Sequence, residues 1–217
     1  MDKVLIEKLF AGLLEEATPI GCTYVNEWGL TTIPFLCESQ RFLALYQPVS
    51  SDPVTQRLVY EFSHRETGHV VSGNAYLMKF ASADQYLAGK DFAPLSALPA
   101  VRMAVRFRIP AVLASVTNVF FQDVPSAEEL YFMPGDTPEE SMRAHKLNLW
   151  YSRVADRIGV TQLGLQKIHP NVGEGWYGYR KTSVKGHAAP QGRVNQTADG
   201  VAEPVISPGQ PAKDIRT

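Results

Sequence analysis

Hydrophobic positions along this chain change their period several times. Over residues 3–17, Leu5, Ile6, Leu9, Phe10, Leu13 and Leu14 recur at helical spacing. Lys3, Lys8 and Glu15 lie largely opposite, and Pro19 and Gly21 follow. The spacing predicts an N-terminal helix that buries one stripe. Cys22–Leu30, Thr31–Leu36 and Arg41–Val49 are short runs of β-branched and aromatic residues broken by Gly29, Pro34 and Pro48, the composition of a β meander. Thr55–Phe62 alternates with Leu58, Tyr60 and Phe62 on one face. His69–Phe80 alternates with Tyr76, Met78 and Phe80 on one face. The two runs predict a hairpin whose loop, Ser63–Gly68, has Gly68 at a positive-φ position.

Ser82-Ala83-Asp84-Gln85 has the form of a capping box, which predicts a short helix ended by Gly89. Val101, Met103, Val105, Phe107 and Ile109 alternate with Arg102, Ala104, Arg106 and Arg108. Period two predicts a strand with its arginines away from the core. Pro110 breaks the run, and Val112–Phe121 reads as a second, more buried strand. Thr137-Pro138-Glu139-Glu140 is a helix start. The helix is predicted to reach Ile158, with Leu147, Trp150, Tyr151, Val154 and Ile158 on its apolar face and Gly159 as its stop. Val160–Ile168 reads as a last strand.

Strands and helices do not alternate regularly, which argues against a doubly wound parallel sheet. The expected fold is α+β: a mostly antiparallel sheet with the N-terminal helix and the long helix of about 137–158 packed on one face, and an extended C-terminal arm. Residues 1–182 form the expected single domain. Residues 183–217 contain no aromatic residue and carry Pro190, Pro204, Pro208 and Pro211. Such a segment buries too little apolar surface to offset its chain entropy, so it is expected to be a flexible Pro/Gly-rich arm. Its one short apolar patch contains Val201, Val205 and Ile206, which could add a strand to a neighbour's sheet edge.

The chain of 217 residues is 45% hydrophobic and 20% charged, with net charge −1. That composition suits a globular protein, and its gross charge selects neither nucleic acid nor an anionic membrane. The longest apolar stretch, Ile109–Phe121, contains Ser115, Thr117 and Asn118 and is shorter than the about 20 residues a membrane helix needs. Glu7, Glu15 and Glu16 interrupt the N-terminal apolar residues, unlike a signal peptide. Cys22 and Cys37 are too few for a disulfide framework and sit in strand-like surroundings. They are expected to be small buried residues in a reducing, cytoplasmic setting.

Candidate chemistry is sparse. Gly173-Glu174-Gly175-Trp176-Tyr177-Gly178 spells G-x-G-x-x-G, but basic residues and then the Pro/Gly-rich tail follow it, leaving no room for the second half of a βαβ unit. No nucleotide loop, nucleophile elbow or zinc helix motif is present. No catalytic residue, metal or cofactor is therefore assigned. His64 and His69 with Glu61 and Glu66 are the remaining candidates for an acid/base pair or a metal, at a spacing that matches no compact zinc motif.

Basic residues form three groups. Arg102, Arg106 and Arg108 make one row. Arg143, Lys146, Arg153 and Arg157 stripe the predicted long helix. Trp176, Tyr177, Tyr179, Arg180 and Lys181 interleave aromatics with charge. Converging, they would suit single-stranded nucleic acid, which stacks on aromatics in a cationic groove. The leading expectation is a non-catalytic binding or assembly component, contacting a protein partner or its own copies through the sheet edge and the C-terminal arm. The alternatives are a nucleic-acid-binding accessory protein and an enzyme with a His/Glu site at 61–69. A membrane partner is not expected.

Overall fold

The computed structural model describes residues 1–14, 16–89, 103–132, 155–168 and 177–182. All of them lie in the compact unit Met1–Ser183. The predicted helix over 137–154 and the arm 183–217, with Val201, Val205 and Ile206, lie outside the described residues.

The fold is α+β, built on a seven-stranded, mostly antiparallel sheet. Its elements are α1 (Lys3–Phe10), β1 (Tyr24–Val25), β2 (Thr31–Cys37), β3 (Gln40–Pro48), α2 (Pro53–Thr67), β4 (Ala75–Ser82), α3 (Ala83–Leu87), α4 (Met103–Asp123), β5 (Glu129–Phe132), a π-helical turn (Arg157–Gln162), β6 (Gln166–Lys167) and β7 (Tyr177–Arg180). The strand order is β1-β2-β3-β4-β5-β7-β6. Among the described strands only β4 and β5 run parallel. The β2–β3 hairpin turns on Glu38 and Ser39, both at positive φ, as a two-residue turn matched to strand twist requires.

Helices cover both faces of the sheet, where the sequence pattern suggested one. On one face α4 sets Val105, Ile109, Leu113, Val116 and Phe120 against Ile33, Phe35, Phe42, Ala44, Tyr46, Met78 and Leu130. On the other, α1 places Ile6 and Phe10 on Leu43 and Leu45. Further along that face, Val59 of α2 joins Val71, Ala75, Leu77 and Tyr131. Because both faces are dry, β2 and β3 are buried almost without alternation.

Several expected elements differ. Residues 55–62 are not a strand but part of α2. Asp52 caps this helix by accepting from the Val54 and Thr55 amides, Pro53 opens it, and Gly68 closes it at φ 66°. Gly68 does take a positive φ, as a helix cap and not in a hairpin loop. The hydrogen bond from the Thr55 hydroxyl, then those from backbone amides, hold the Asp52 carboxyl below its ordinary range. Among the described side chains of α2 the buried ones are Thr55, Val59 and Ser63, four apart, whereas Leu58 and Tyr60 are exposed.

Residues 103–109 and 112–121 are likewise not two strands. From Met103 onward they form α4, which runs through Pro110. Val105 and Ile109 satisfy period two and period 3.6 equally, so the first run could not discriminate. Leu113, Val116 and Phe120 continue the helical stripe, and Phe107 is 75% exposed. Val101 and Arg102 lie outside the described residues, as do the side chains of Met103 and Arg106.

The N-terminal helix stops at Phe10, because Gly12 takes φ 83° and leaves Leu13 and Leu14 beyond it. Of residues 22–30 only Tyr24–Val25 is strand, and Cys22 is exposed while Cys37 is buried. β4 keeps the predicted face of Tyr76, Met78 and Phe80 toward α4. The short capped helix after Ser82 is present, with both bonds of its capping box.

Gly159 does not stop a helix. It sits inside the π-helical turn against the Tyr179 ring, where an added Cβ would lie 2.5 Å from Cδ1. Gly164, at φ 63°, follows that turn. The final strand is correspondingly short, with 160–162 in the π-helical turn and only Gln166–Lys167 extended.

Two consequences are testable. Gly159→Ala should destabilise the protein by about 1–3 kcal/mol through overpacking on Tyr179, read as a lower urea midpoint. A midpoint equal to wild type would show that the ring can move away. Burial also pushes the Tyr46, Tyr131 and Tyr179 hydroxyls far above the ordinary tyrosine value. The unfolded chain therefore releases these protons first. Stability should be full below pH of about 10 and fall steadily as pH rises past it. Tyr46→Phe should make that fall shallower by about one proton, measured by urea melts across the alkaline range.

Candidate functional site at the sheet edge

The outer side of β2 is closed by residues 19–25. Pro19 and Gly21 exchange backbone bonds with Leu36 and Pro34, Ile20 faces Phe35, and Tyr24 faces Thr32. From Ile20 to Tyr24 is four steps, whereas from Thr32 to Phe35 is three. One extra residue is therefore accommodated between them, a bulge at Cys22–Thr23. The Thr23 hydroxyl donates to Asp123, the last residue of α4, and ties the ribbon down.

β1 then enters a tight turn. Asn26 accepts from the Trp28 amide at 3.0 Å and the Leu30 amide at 2.9 Å through its Oδ1, and from the Gly29 amide through its carbonyl. The Asn26 amide donates to the Leu30 carbonyl at 3.1 Å. This is the side-chain-to-backbone closure that asparagine favours in turns. Gly29 takes φ 77°, a conformation that suits glycine.

The outcome is a fixed loop carrying Trp28, 73% exposed, beside Val25, 53% exposed. Antiparallel pairs alternate between bonded and non-bonded partners. With Asn26 bonded to Leu30, Val25 opposite Thr31 is a non-bonded pair, so its N–H and C=O face away from β2. A large aromatic ring and an outward backbone pair thus share one edge of the sheet.

A second polar centre lies at the start of β5. Buried Glu129 accepts from His69 Nε2–H at 2.7 Å, from the Ser72 amide at 3.0 Å and from the Tyr131 hydroxyl at 3.0 Å. The Ser72 hydroxyl donates to Glu128. The sequence singled out His69 but gave it Glu61 or Glu66 as partner. Glu61 instead pairs with Arg57 at 2.8 Å, His64 is exposed on α2, and the Glu66 side chain lies outside the described residues. Among the described residues no three His, Cys, Asp or Glu side chains cluster to hold a metal. With three donors on one carboxylate, this centre pins the loop 68–74 to the β4–β5 pair.

Of the basic residues in these rows, Arg108, Arg157, Arg180 and Lys181 have described side chains, and three of the four are engaged. Arg108 pairs with Glu38. Arg180 donates to Gln166 at 3.1 Å. Lys181 donates to the Pro125 carbonyl and lies 4.6 Å over the Phe121 ring. Desolvation lowers its pKa. Arg157 is exposed on the π-helical turn. Tyr177 and Tyr179 are enclosed in the core of β7, so neither ring is presented to a base. The Tyr179 hydroxyl donates to Asp156 at 2.7 Å, and Asp156 pairs with Lys167 at 2.8 Å. Arg102, Arg143, Lys146, Arg153 and Trp176 lie outside the described residues. No helix among the described residues is long and apolar enough to cross a membrane. Comparison with family models, with curated proteins and with solved structures finds no match to this chain.

The Glu129 centre predicts a large single-residue effect. Glu129→Ala leaves three donors without their acceptor and should cost roughly 3 kcal/mol, measured by chemical denaturation. A loss under about 1 kcal/mol would mean that water replaces the carboxylate.

Proposed function

We propose that this chain is a non-catalytic binding or assembly component that contacts a protein partner, or its own copies, through the β1 edge of the sheet. Trp28 carries the reading. A tryptophan ring usually contributes most when buried, and isolated rings at interfaces are the commonest energetic anchors. Here the sequence spends four hydrogen bonds of a turn on holding one in water. Fixing the backbone that carries the ring lowers part of the ordering cost of binding. The outward Val25 backbone adds the groups by which an extended segment joins a sheet edge. The C-terminal segment 183–217 is the second contact element of this proposal, on its apolar patch around Val201, Val205 and Ile206.

Affinity capture of the full chain, with solution mass by light scattering, tests the proposal. Trp28→Ala should remove partners or lower the mass, with a loss of about 2 kcal/mol or more in binding and an unchanged melting temperature. Deleting 183–217 should weaken association without changing the unfolding of the remainder. Identical partners and mass in both variants would overturn the reading.

A further inference from the structure

On the reading that the β1 end of the sheet is a docking surface, the fit between β2 and its neighbour identifies the occupant. β2 has the chemistry of an edge strand. The Pro34 carbonyl accepts from the Gly21 amide at 2.8 Å, so it points away from β3. The N and C=O of one strand residue point to the same side, so the Pro34 nitrogen also points outward, and it has no proton to donate. Proline is placed this way on sheet edges, where it hinders pairing with a foreign strand. Residues 19–25 cover the edge with a matching shape. A Cβ added at Gly21 would lie 2.7 Å from the Pro34 Cγ and 3.2 Å from the Leu13 Cδ2. A strand with a side chain at that position would press on the proline ring. Pro19 offers its carbonyl to the Leu36 amide at 2.7 Å, and the bulge at Cys22–Thr23 follows. A Pro-x-Gly ribbon with a bulge fits where a regular strand does not, and this chain carries that ribbon itself.

The ribbon belongs to a limb, residues 1–25, that joins the rest of the domain through one turn. Its contacts include Ile6 and Phe10 on Leu43 and Leu45, Ile20 on the core beneath α4, Glu7 paired with Arg41 at 2.9 Å, and Thr23 bonded to Asp123. Each of these reaches a residue beyond the turn 26–30. Each therefore forms equally well when the limb comes from a second copy, provided the turn opens. The exposed side chains Val25 and Trp28 lie at that turn. In a two-fold pair with open turns, the two connections run past each other. The Trp28 rings then meet, where a single chain leaves its ring in water.

We infer that two copies of this chain exchange residues 1–25 across the β2 edge, with the turn 26–30 as the hinge and Trp28 buried between the two connections. Closed, the turn has the Asn26 bonds to the Trp28 and Leu30 amides and holds Gly29 at φ 77°. Open, it loses those bonds and buries Trp28 and Val25. The balance between one chain and two is thus set at Asn26, Trp28 and Gly29, where substitutions act in opposite directions.

The test uses the full chain carrying Arg41→Lys, which places an amine beside Glu7 for zero-length carbodiimide coupling. Equal amounts of nitrogen-14 and nitrogen-15 protein are unfolded, mixed and refolded, and mass is followed by light scattering over a concentration series. Exchange predicts a dimer in which cross-linked peptides joining positions 7 and 41 carry one of each label. Trp28→Ala should weaken dimerisation about tenfold or more. Gly29→Val opposes a positive φ but not an extended chain, and it should strengthen dimerisation about tenfold or more. Asn26→Ala, which removes the turn's side-chain acceptor, should act in the same direction. A dimer cross-linked only between like labels would overturn the exchange while leaving the edge as a docking surface. Monomers at every concentration in the parent chain, Gly29→Val and Asn26→Ala would overturn the exchange too, and capture of other partners that is lost in Trp28→Ala would then still uphold the edge. Mixed-label dimers as tight in Trp28→Ala as in the parent chain would overturn Trp28 as the anchor, and with it the reading of the edge.

Discussion

The parallel pairing of β4 with β5 is the constraint from which the rest of this structure follows. Antiparallel neighbours can be joined by a turn, but a parallel pair requires the chain to cross a face of the sheet. Here that crossing carries α4, whose buried stripe seals one face over β2 and β3. Once α4 lies there, α1 and α2 have only the opposite face to cover. The sheet becomes the middle of three layers. Its central strands can then be hydrophobic on both sides, and a buried hydroxyl there costs free energy unless it finds a partner inside. Tyr46 bonds Thr117 of α4 at 3.0 Å for that reason.

The buried carboxylate of Glu129 stands at the first residue of that parallel pair, opposite Ala75. Charge is expensive to bury unless it is fully hydrogen-bonded, and three donors meet it. The arrangement ties two pieces of chain that are distant in sequence, the loop between α2 and β4 and β5 itself. It is stabilising by satisfaction, since removing one member exposes the others to the same cost.

A layered sheet still has ends, and natural sheets protect them. At the β1 end the protection is a short strand, a bulge and a bond to the end of α4, and beyond it a turn presents Trp28. The edge is thus shortened as a general template for pairing while one ring and one backbone pair are kept available. A surface that excludes indiscriminate pairing and retains one anchor is the physical basis for reading this end as a selective contact.

Local chemistry was legible in the residues themselves. The β2–β3 ladder, the face shared by Tyr76, Met78 and Phe80, the capping box at Ser82 and the α+β class follow from propensity, period and caps acting over a few residues. The signals for α2, Asp52-Pro53 and Gly68, are equally local, and they outweigh the alternation of Leu58, Tyr60 and Phe62. Other features depended on partners far along the chain. Val105 and Ile109 fit a strand or a helix equally, and only contact with Ile33, Phe35 and Phe42 selects the helix. His69 found Glu129 sixty residues away, a pairing no local spacing reveals. Whether the Trp28 ring is covered is decided by what the rest of the chain packs against it, and it is 73% exposed. The sequence by itself determined which short segments could be strands, caps and turns, because those choices are made by neighbouring backbone groups. Which faces were buried, which charges were paired and which ring stayed in water were decided only by tertiary structure, because burial is a property of the assembled layers and not of any segment alone.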